Sequence, residues 1–213
     1  MKAFIFLGAP GAGKGTAAAR IAEKTNARHV STGAMLRGIL ENGASRDPAV
    51  KSRMNKGELV PDSMLIDMIG ELFKSADSDA TLIFDGFPRT VPQAEALEKL
   101  AAEHSVEIVK AVSIEVPEEI ILKRLGGRQV CPACGAVFHV KTLPSKKEGI
   151  CDTCGAALVV RNDDTPEAIK NRLVVHAEKT APLVGWYEKA GKLARADGSG
   201  SADDAVEKIM AVM

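Results

Sequence analysis

Aromatic residues are scarce in this chain of 213 residues: one tryptophan, one tyrosine and six phenylalanines, 4% in all. No basic tail accompanies them, which argues against a surface built to track nucleic acid. Charge of one sign is missing as well. Lys plus Arg and Asp plus Glu number 28 each, so no global field favours a polyanion or an anionic membrane. No apolar run approaches the roughly 20 residues of a membrane span. The N-terminal MKAFIFL is apolar enough to suggest a secretory leader, but it flows into a glycine loop and reads better as a buried strand. Internal repeats and low-complexity tracts are absent. A cytoplasmic globular enzyme is the expectation, with 46% hydrophobic and 26% charged residues.

What is present alternates. Ala3 to Leu7 is wholly apolar, as a parallel strand buried on both faces should be. A helix is predicted over Lys14 to Lys24, then others over Pro61 to Lys74 and Val91 to His104. Strands are predicted at Thr81 to Phe84 and Ile108 to Val116, the latter ended by Pro117, which opens the helix PEEIILKRL. Thr165-Pro166-Glu167 caps a helix reaching Lys179. A strand at Leu193 to Ala196 and a helix at Ala202 to Met210 close the chain. This alternation implies an α/β fold with a doubly wound parallel sheet. Two segments break the rhythm: Ser31 to Val60, two short helical stretches with Gly43 between and Gly57 after them, and Gly127 to Asp164, rich in Gly, Cys and Pro. Both read as insertions mounted on the sheet, where binding residues gather.

The loop GAPGAGKGT, Gly8 to Thr16, fits the phosphate-binding frame G-x-x-x-x-G-K-[ST] except at its last position. Glycines at 8, 11, 13 and 15 let backbone N–H groups turn inward at a helix start, and Lys14 adds a mobile charge. A plain glycine-rich turn is the alternative, but strand before and helix after are the context the motif requires. Gly15 stands where a metal-binding Ser or Thr is usual, so a metal there must rely on phosphate oxygens, water and a distant carboxylate. Asp85, at the carboxyl end of the strand TLIF, is the candidate, holding a metal-bound water; a helix-capping turn residue is the plainer reading.

The four cysteines fall in CPAC (Cys131, Cys134) and CDTC (Cys151, Cys154), each pair followed by glycine and separated by a standard zinc spacing. Disulfides are the alternative, disfavoured in a reducing compartment. Four thiolates leave no open coordination position, so a metal here is structural. Iron fits the same tetrahedral donor set.

Together GAPGAGKGT, STGAMLR (31–37), DGFPRTVPQA (85–94), LGGR (125–128), RNDD (161–164) and NRLVVHAEKTAPL (171–183) resemble adenylate kinase, in its long-lid bacterial form. The similarity runs over essentially the whole chain, and in that family glycine is the expected residue at position 15. The resemblance implies a P-loop nucleoside monophosphate kinase fold with a five-stranded parallel sheet. Residues 1–30, 61–126 and 165–213 would form the core, 31–60 a monophosphate-binding flap and 127–164 a lid carrying zinc knuckles. It implies the reaction ATP + AMP ⇌ 2 ADP with Mg²⁺, in a monomer. For ATP it implies Gly11, Ala12, Gly13, Lys14, Gly15, Thr16, Arg124 and Arg128, with Val137, Phe138 and Gly200 against the base. For AMP it implies Thr32, Arg37, Glu58, Leu59, Val60, Gly86, Phe87, Pro88, Arg89, Gln93, Arg161 and Arg172. Catalysis would fall to Lys14, Asp85, Arg89, Arg124, Arg128, Arg161 and Arg172, because preorganised guanidinium groups suit the charge spread over a transferring phosphoryl group. The acceptor is already a phosphate oxygen, so the four histidines are not expected to act as bases.

Two positions depart from family habit. Gln129 follows Arg128 where relatives often carry a second arginine, and Gly200 offers only backbone to a base. A kinase for UMP, CMP or GMP is the rival within the enzyme class; Gln93 in its context favours AMP. A zinc-ribbon P-loop ATPase acting on nucleic acid is the rival outside it, opposed by the balanced charge.

Overall fold

The computed structural model describes residues 1–41 and 48–213; Gly43 lies outside the described residues. Five strands form one parallel sheet in the order β2-β3-β1-β4-β7. They are β1 (Lys2–Leu7), β2 (Arg28–Ser31), β3 (Thr81–Asp85), β4 (Glu107–Glu115) and β7 (Leu193–Asp197). β1 lies between β3 and β4, with Ile5 opposite Phe84 on one side and Ala111 on the other. A central parallel strand is covered on both faces, which is why KAFIFL is a continuous apolar run.

Side chains alternate across the sheet into two cores. Ile5, Leu7, Leu82 and Phe84 join Ile69 and Phe73 of α4 (Asp62–Ser75), Leu97 of α5 (Val91–Glu103) and Tyr187 of α8 (Pro182–Lys189). Phe6, Ile83 and Val112 join Ile21 of α1 (Lys14–Thr25) and Val206 and Ile209 of α9 (Ala202–Met210). Capping follows the sequence. Thr90 accepts from the Gln93 amide, Thr165 from Ala168 at the start of α7 (Pro166–Val175), and Ser201 from Asp204. Pro117 stands at the N-cap of α6 (Glu118–Leu125).

Two elements differ from expectation. β2 is a four-residue edge strand, RHVS, too short and polar to announce itself. The helix predicted to Lys179 ends at Val175 and continues as a π-helical turn, His176–Thr180, before α8. The two short helical stretches expected after β2 are there, as α2 (Thr32–Glu41) and α3 (Pro48–Lys56). Apart from the main sheet, β5 (Arg128–Val130) and β6 (Val137–His139) form an antiparallel pair. Bridges from Val130 to Val159 and from Ile150 to Ala157 extend that small β unit around a core of Cys131, Phe138 and Cys151.

Candidate active site and metal centre

The carboxyl ends of β1 and β3 converge on one site, the place where open parallel sheets bind ligands. β1 feeds the loop whose Gly13, at φ 95°, is the N-cap of α1. No side chain caps that helix start, so its N–H groups remain available to an anion. Lys14 folds back over the loop, donating from Nζ to the carbonyls of Gly8 (2.8 Å) and Ala9 (2.9 Å). Burial, reinforced by Arg89, Arg172 and Arg128 and opposed by Asp85, lowers its ammonium to about 8. Thr16 follows within α1.

Asp85 explains Gly15. A Cβ on Gly15 would lie 2.9 Å from Asp85 Oδ2, closer than such contacts occur, so even alanine would press on the carboxylate. The acid of β3 thus occupies the space beside the position where a hydroxyl is usual. Burial pushes its pKa up, but nearby His29, Lys14 and Arg89 outweigh this and hold it below its ordinary value. His29 Nε2, 3.7 Å from Oδ2, is too far for a hydrogen bond and has no other partner among the described residues.

Around Lys14 and Asp85 the structure gathers arginines from distant parts of the chain. Arg89 is fixed by Nε donating to the Gly86 carbonyl (2.8 Å) and by its backbone N–H donating to Gln93 Oε1 (2.7 Å). It follows Phe87 and Pro88, joined by a cis bond. Burial lowers the Arg89 guanidinium, as it lowers Arg37 and Arg172, both to about 10. Arg161 and Asp163 enter the electrostatic balance of all three.

Two carboxylates that sequence reading left without a role hold this cluster together. Arg128 meets Asp164 with both Nε (2.7 Å) and Nη2, and Arg172 Nη1 reaches the same carboxylate at 2.9 Å. Arg161 forks onto Asp163, which also lies 3.4 Å from Arg172. The signal was the double aspartate after Arg161 in RNDD: acids beside a guanidinium in a cation-rich cleft are its counter-charges. His176, in the π-helical turn, is held near 4 by burial and by Lys14 and Arg89, so its ring is neutral at pH 7.

Arg124 stands apart from that network. It donates to the carbonyls of Ala12 (3.4 Å), Ser199 (3.3 Å) and Gly200 (2.8 Å), tying the P-loop to the turn after β7. Gly11 of the same loop packs against Leu125 and Ile121. Val137 is exposed, whereas Phe138 is buried with Cys131 and Cys151.

On the other side of the Arg89 loop, Thr32 and Gln93 are buried. Thr32 Oγ1 donates to the Gly86 carbonyl (3.0 Å), and Gln93 Nε2 donates to Asp62 (2.6 Å). Their polar atoms are already engaged within the chain, although each has further hydrogen-bonding capacity. Glu58 is exposed, Val60 is buried, and the Leu59 carbonyl accepts from Arg53 (3.4 Å).

Cys131, Cys134, Cys151 and Cys154 are free thiols whose sulfurs all lie within 4.8 Å of one another. Cys131 and Cys154 are 3.4 Å apart, Cys134 and Cys151 3.5 Å, far beyond a disulfide's length of about 2.05 Å. Ligands about 2.3 Å from a tetrahedral ion sit roughly 3.8 Å apart, so the four sulfurs suit one metal ion. Burial raises the Cys151 thiol, but N–H groups of Cys154 and Thr153, together with hydrogen bonds from the Cys134 and Cys131 thiols, outweigh that and leave it at about 6.

The sequence model of the adenylate kinase family matches residues 6–192. An adenylate kinase of Lachnospira eligens is 46% identical over 209 residues, 98% of each chain. One of Carboxydothermus hydrogenoformans is 45% identical over 205 residues, 96% of each. One of Methanothrix thermoacetophila is 43% identical over 209 residues, 98% of this chain and 97% of its own. The chain belongs to the adenylate kinase family.

Proposed function

We infer that this protein transfers the terminal phosphoryl group of MgATP reversibly to AMP, giving two ADP, and so balances the adenine nucleotides. The convergence of Lys14, Arg89, Arg128, Arg161 and Arg172 on an uncapped helix start carries the reading at this site. Two polyphosphates brought together repel, and only a cleft rich in preorganised donors offsets that. The residues present suit such a role without any proton-transfer group, since the acceptor oxygen is already anionic.

In this reading Gly11 to Thr16 cradle the ATP phosphates, and Lys14 leaves the Gly8 and Ala9 carbonyls to follow the transferring group. Asp85, lodged beside Gly15, would help hold the Mg²⁺ that comes with ATP, and the metal would supply neutralisation of phosphate charge. Arg124 closes on the ATP phosphates, while Val137, Phe138 and Gly200 border the ATP base, Phe138 through its backbone because its ring faces the cysteine core. Arg37 and Arg89 hold the AMP phosphate while Thr32, Gln93 and the backbone of Glu58, Leu59 and Val60 face its adenine, with Gly86, Phe87 and Pro88 shaping the loop. Arg128, Arg161 and Arg172 exchange their aspartate partners for phosphate oxygens as residues 31–60 and 127–164 close as flap and lid over the remaining core. The cysteines hold structural Zn²⁺. The protein acts as a cytoplasmic monomer in this reading; among the described residues no helix is long and apolar enough to cross a membrane.

The test is a coupled assay across nucleoside monophosphates with MgATP. AMP should be converted much faster than UMP, CMP or GMP. Comparable rates on UMP would overturn the assignment of Thr32 and Gln93 to adenine.

A further inference from the structure

The π-helical turn at His176–Thr180 joins α7, which carries Arg172, to α8. Its signature is the hydrogen bond from the Ala181 amide to the His176 carbonyl, five residues back (2.8 Å). Pro182 accounts for it. Proline has no N–H, and in a regular helix its ring would clash with the carbonyl four residues earlier, that of Glu178. Widening the turn by one residue avoids the clash and rotates α8 by about 100° relative to α7.

That rotation has a consequence for Thr180. A threonine inside a helix usually returns its hydroxyl to the carbonyl four residues back. Here that carbonyl, on His176, accepts from Ala181 instead. Thr180 Oγ1 leaves the helix and donates to the backbone carbonyl of Arg89 at 2.9 Å, across 91 residues of sequence, in a partly buried setting. Arg89 is therefore gripped at both ends of its residue: its N–H by Gln93 Oε1, its carbonyl by Thr180 Oγ1, with Nε on Gly86. Among the described residues no hydrogen bond takes Nη1 or Nη2, which remain free for a ligand.

We propose that Thr180 is a positioning residue of the phosphoryl-transfer site: through the π-helical turn it locks the Arg89 backbone in register with Arg172 on the preceding helix. The proposal rests on the reading of Arg89 as a phosphate-holding group. It adds that the turn exists at this point to direct one hydroxyl, so that two arginines far apart in sequence are aligned by a single helical unit. Thr180 never touches substrate; it acts through the peptide it holds.

Thr180→Val keeps the shape and removes the donor. Small misplacements of a positioned group can cost up to about a hundredfold in rate, and one lost hydrogen bond acting at a distance should cost about tenfold in kcat/KM for AMP, with KM for MgATP within about twofold of the parent. Thr180→Ser restores the hydroxyl and should recover activity to within about threefold. In an Arg89→Lys background the same Thr180→Val change should cost clearly less, because the fork it aligns is gone. If valine does not yield folded protein, Thr180→Ala, which adds no bulk, replaces it with the same expectations. Activity of the valine variant within about twofold of the parent, a serine variant as impaired as valine, or full additivity with Arg89→Lys would each overturn the proposal. Severe loss in Arg89→Lys with none in Thr180→Val rejects the positioning role alone, whereas little loss in Arg89→Lys itself rejects the reading of Arg89 on which it stands.

Discussion

Gly15 is the residue at which sequence and structure explain each other. The motif alone raised the question of why a hydroxyl is missing; the Asp85 carboxylate, 2.9 Å from where a side chain would begin, answers it. On the reading proposed above, a nearby acid takes over from a direct metal ligand. Restoring the usual residue with Gly15→Ser should therefore damage the site. Overpacking of this kind costs about 1–3 kcal/mol, and displacement of Asp85 should lower kcat/KM for MgATP by more than about tenfold. Steady-state kinetics at varied Mg²⁺ and a melting curve would check both; a serine variant with parental kinetics would mean that Asp85 can step aside freely. Residues of the P-loop, the Arg89 loop and the cysteine pairs were legible because each lies in a contiguous motif with a chemical reason for its spacing. Asp163, Asp164, His29 and Thr180 were not. Their roles depend on partners up to 91 residues away, and nothing local distinguishes a threonine that caps a turn from one that grips a distant carbonyl.

At the scale of elements, the strands buried on both faces and the capped helices stood out, since a continuous apolar run or a Thr-Pro pair carries its own physical explanation. The edge strand β2 and the π-helical turn escaped. One has almost no apolar residues, and the other keeps helical periodicity on both sides while changing its phase. The small β unit around the cysteines is the element whose stability is most open to test. Its apolar core is thin: Cys131, Phe138 and Cys151, with Ala136, Ala156 and Leu158 against them. A metal ion should supply what that core lacks. Structural zinc contributes on the order of 10 kcal/mol in isolated fingers, and less here because the segment is anchored at both ends by helices of the folded core, α6 and α7. Cys151→Ser, or removal of the metal by a chelator, should lower the thermal midpoint and increase hydrogen exchange across 127–164. Turnover well below the midpoint should persist, since the sulfurs pack with one another and lie outside the arginine cluster. Metal content, melting and activity belong on the same samples. Loss of turnover with the segment still protected from exchange would show that the metal does more than hold the fold.

For the molecule as a whole, the formal charge of zero conceals a division. Lys14, Arg37, Arg89, Arg128, Arg161 and Arg172 act electrostatically on one another, with Asp85, Asp163 and Asp164 as their main counter-charges, six cations against three carboxylates. Each of Lys14, Arg37 and Arg172 is lowered from its ordinary pKa, with burial the largest cause and neighbouring guanidinium groups adding to it. Keeping these groups charged at neutral pH therefore costs folding stability that the free protein must carry. A ligand bringing several phosphates into the cleft relieves that cost, and one that spans both nucleotide positions relieves more of it. A bisubstrate analogue, two adenosines joined through a polyphosphate, should thus stabilise the fold well beyond ATP alone at equal concentration. At a hundredfold excess over its dissociation constant a ligand adds about 2.7 kcal/mol, which for a chain of this size is roughly 5–10 °C in the melting midpoint. The gain should shrink as salt is raised to about 0.5 M, because part of the attraction is screened. Scanning calorimetry with the bisubstrate compound, ATP and AMP separately would measure this. If the bisubstrate shift is no larger than that of ATP, the two nucleotide positions do not converge on one arginine cluster, and the cleft is not the transfer site.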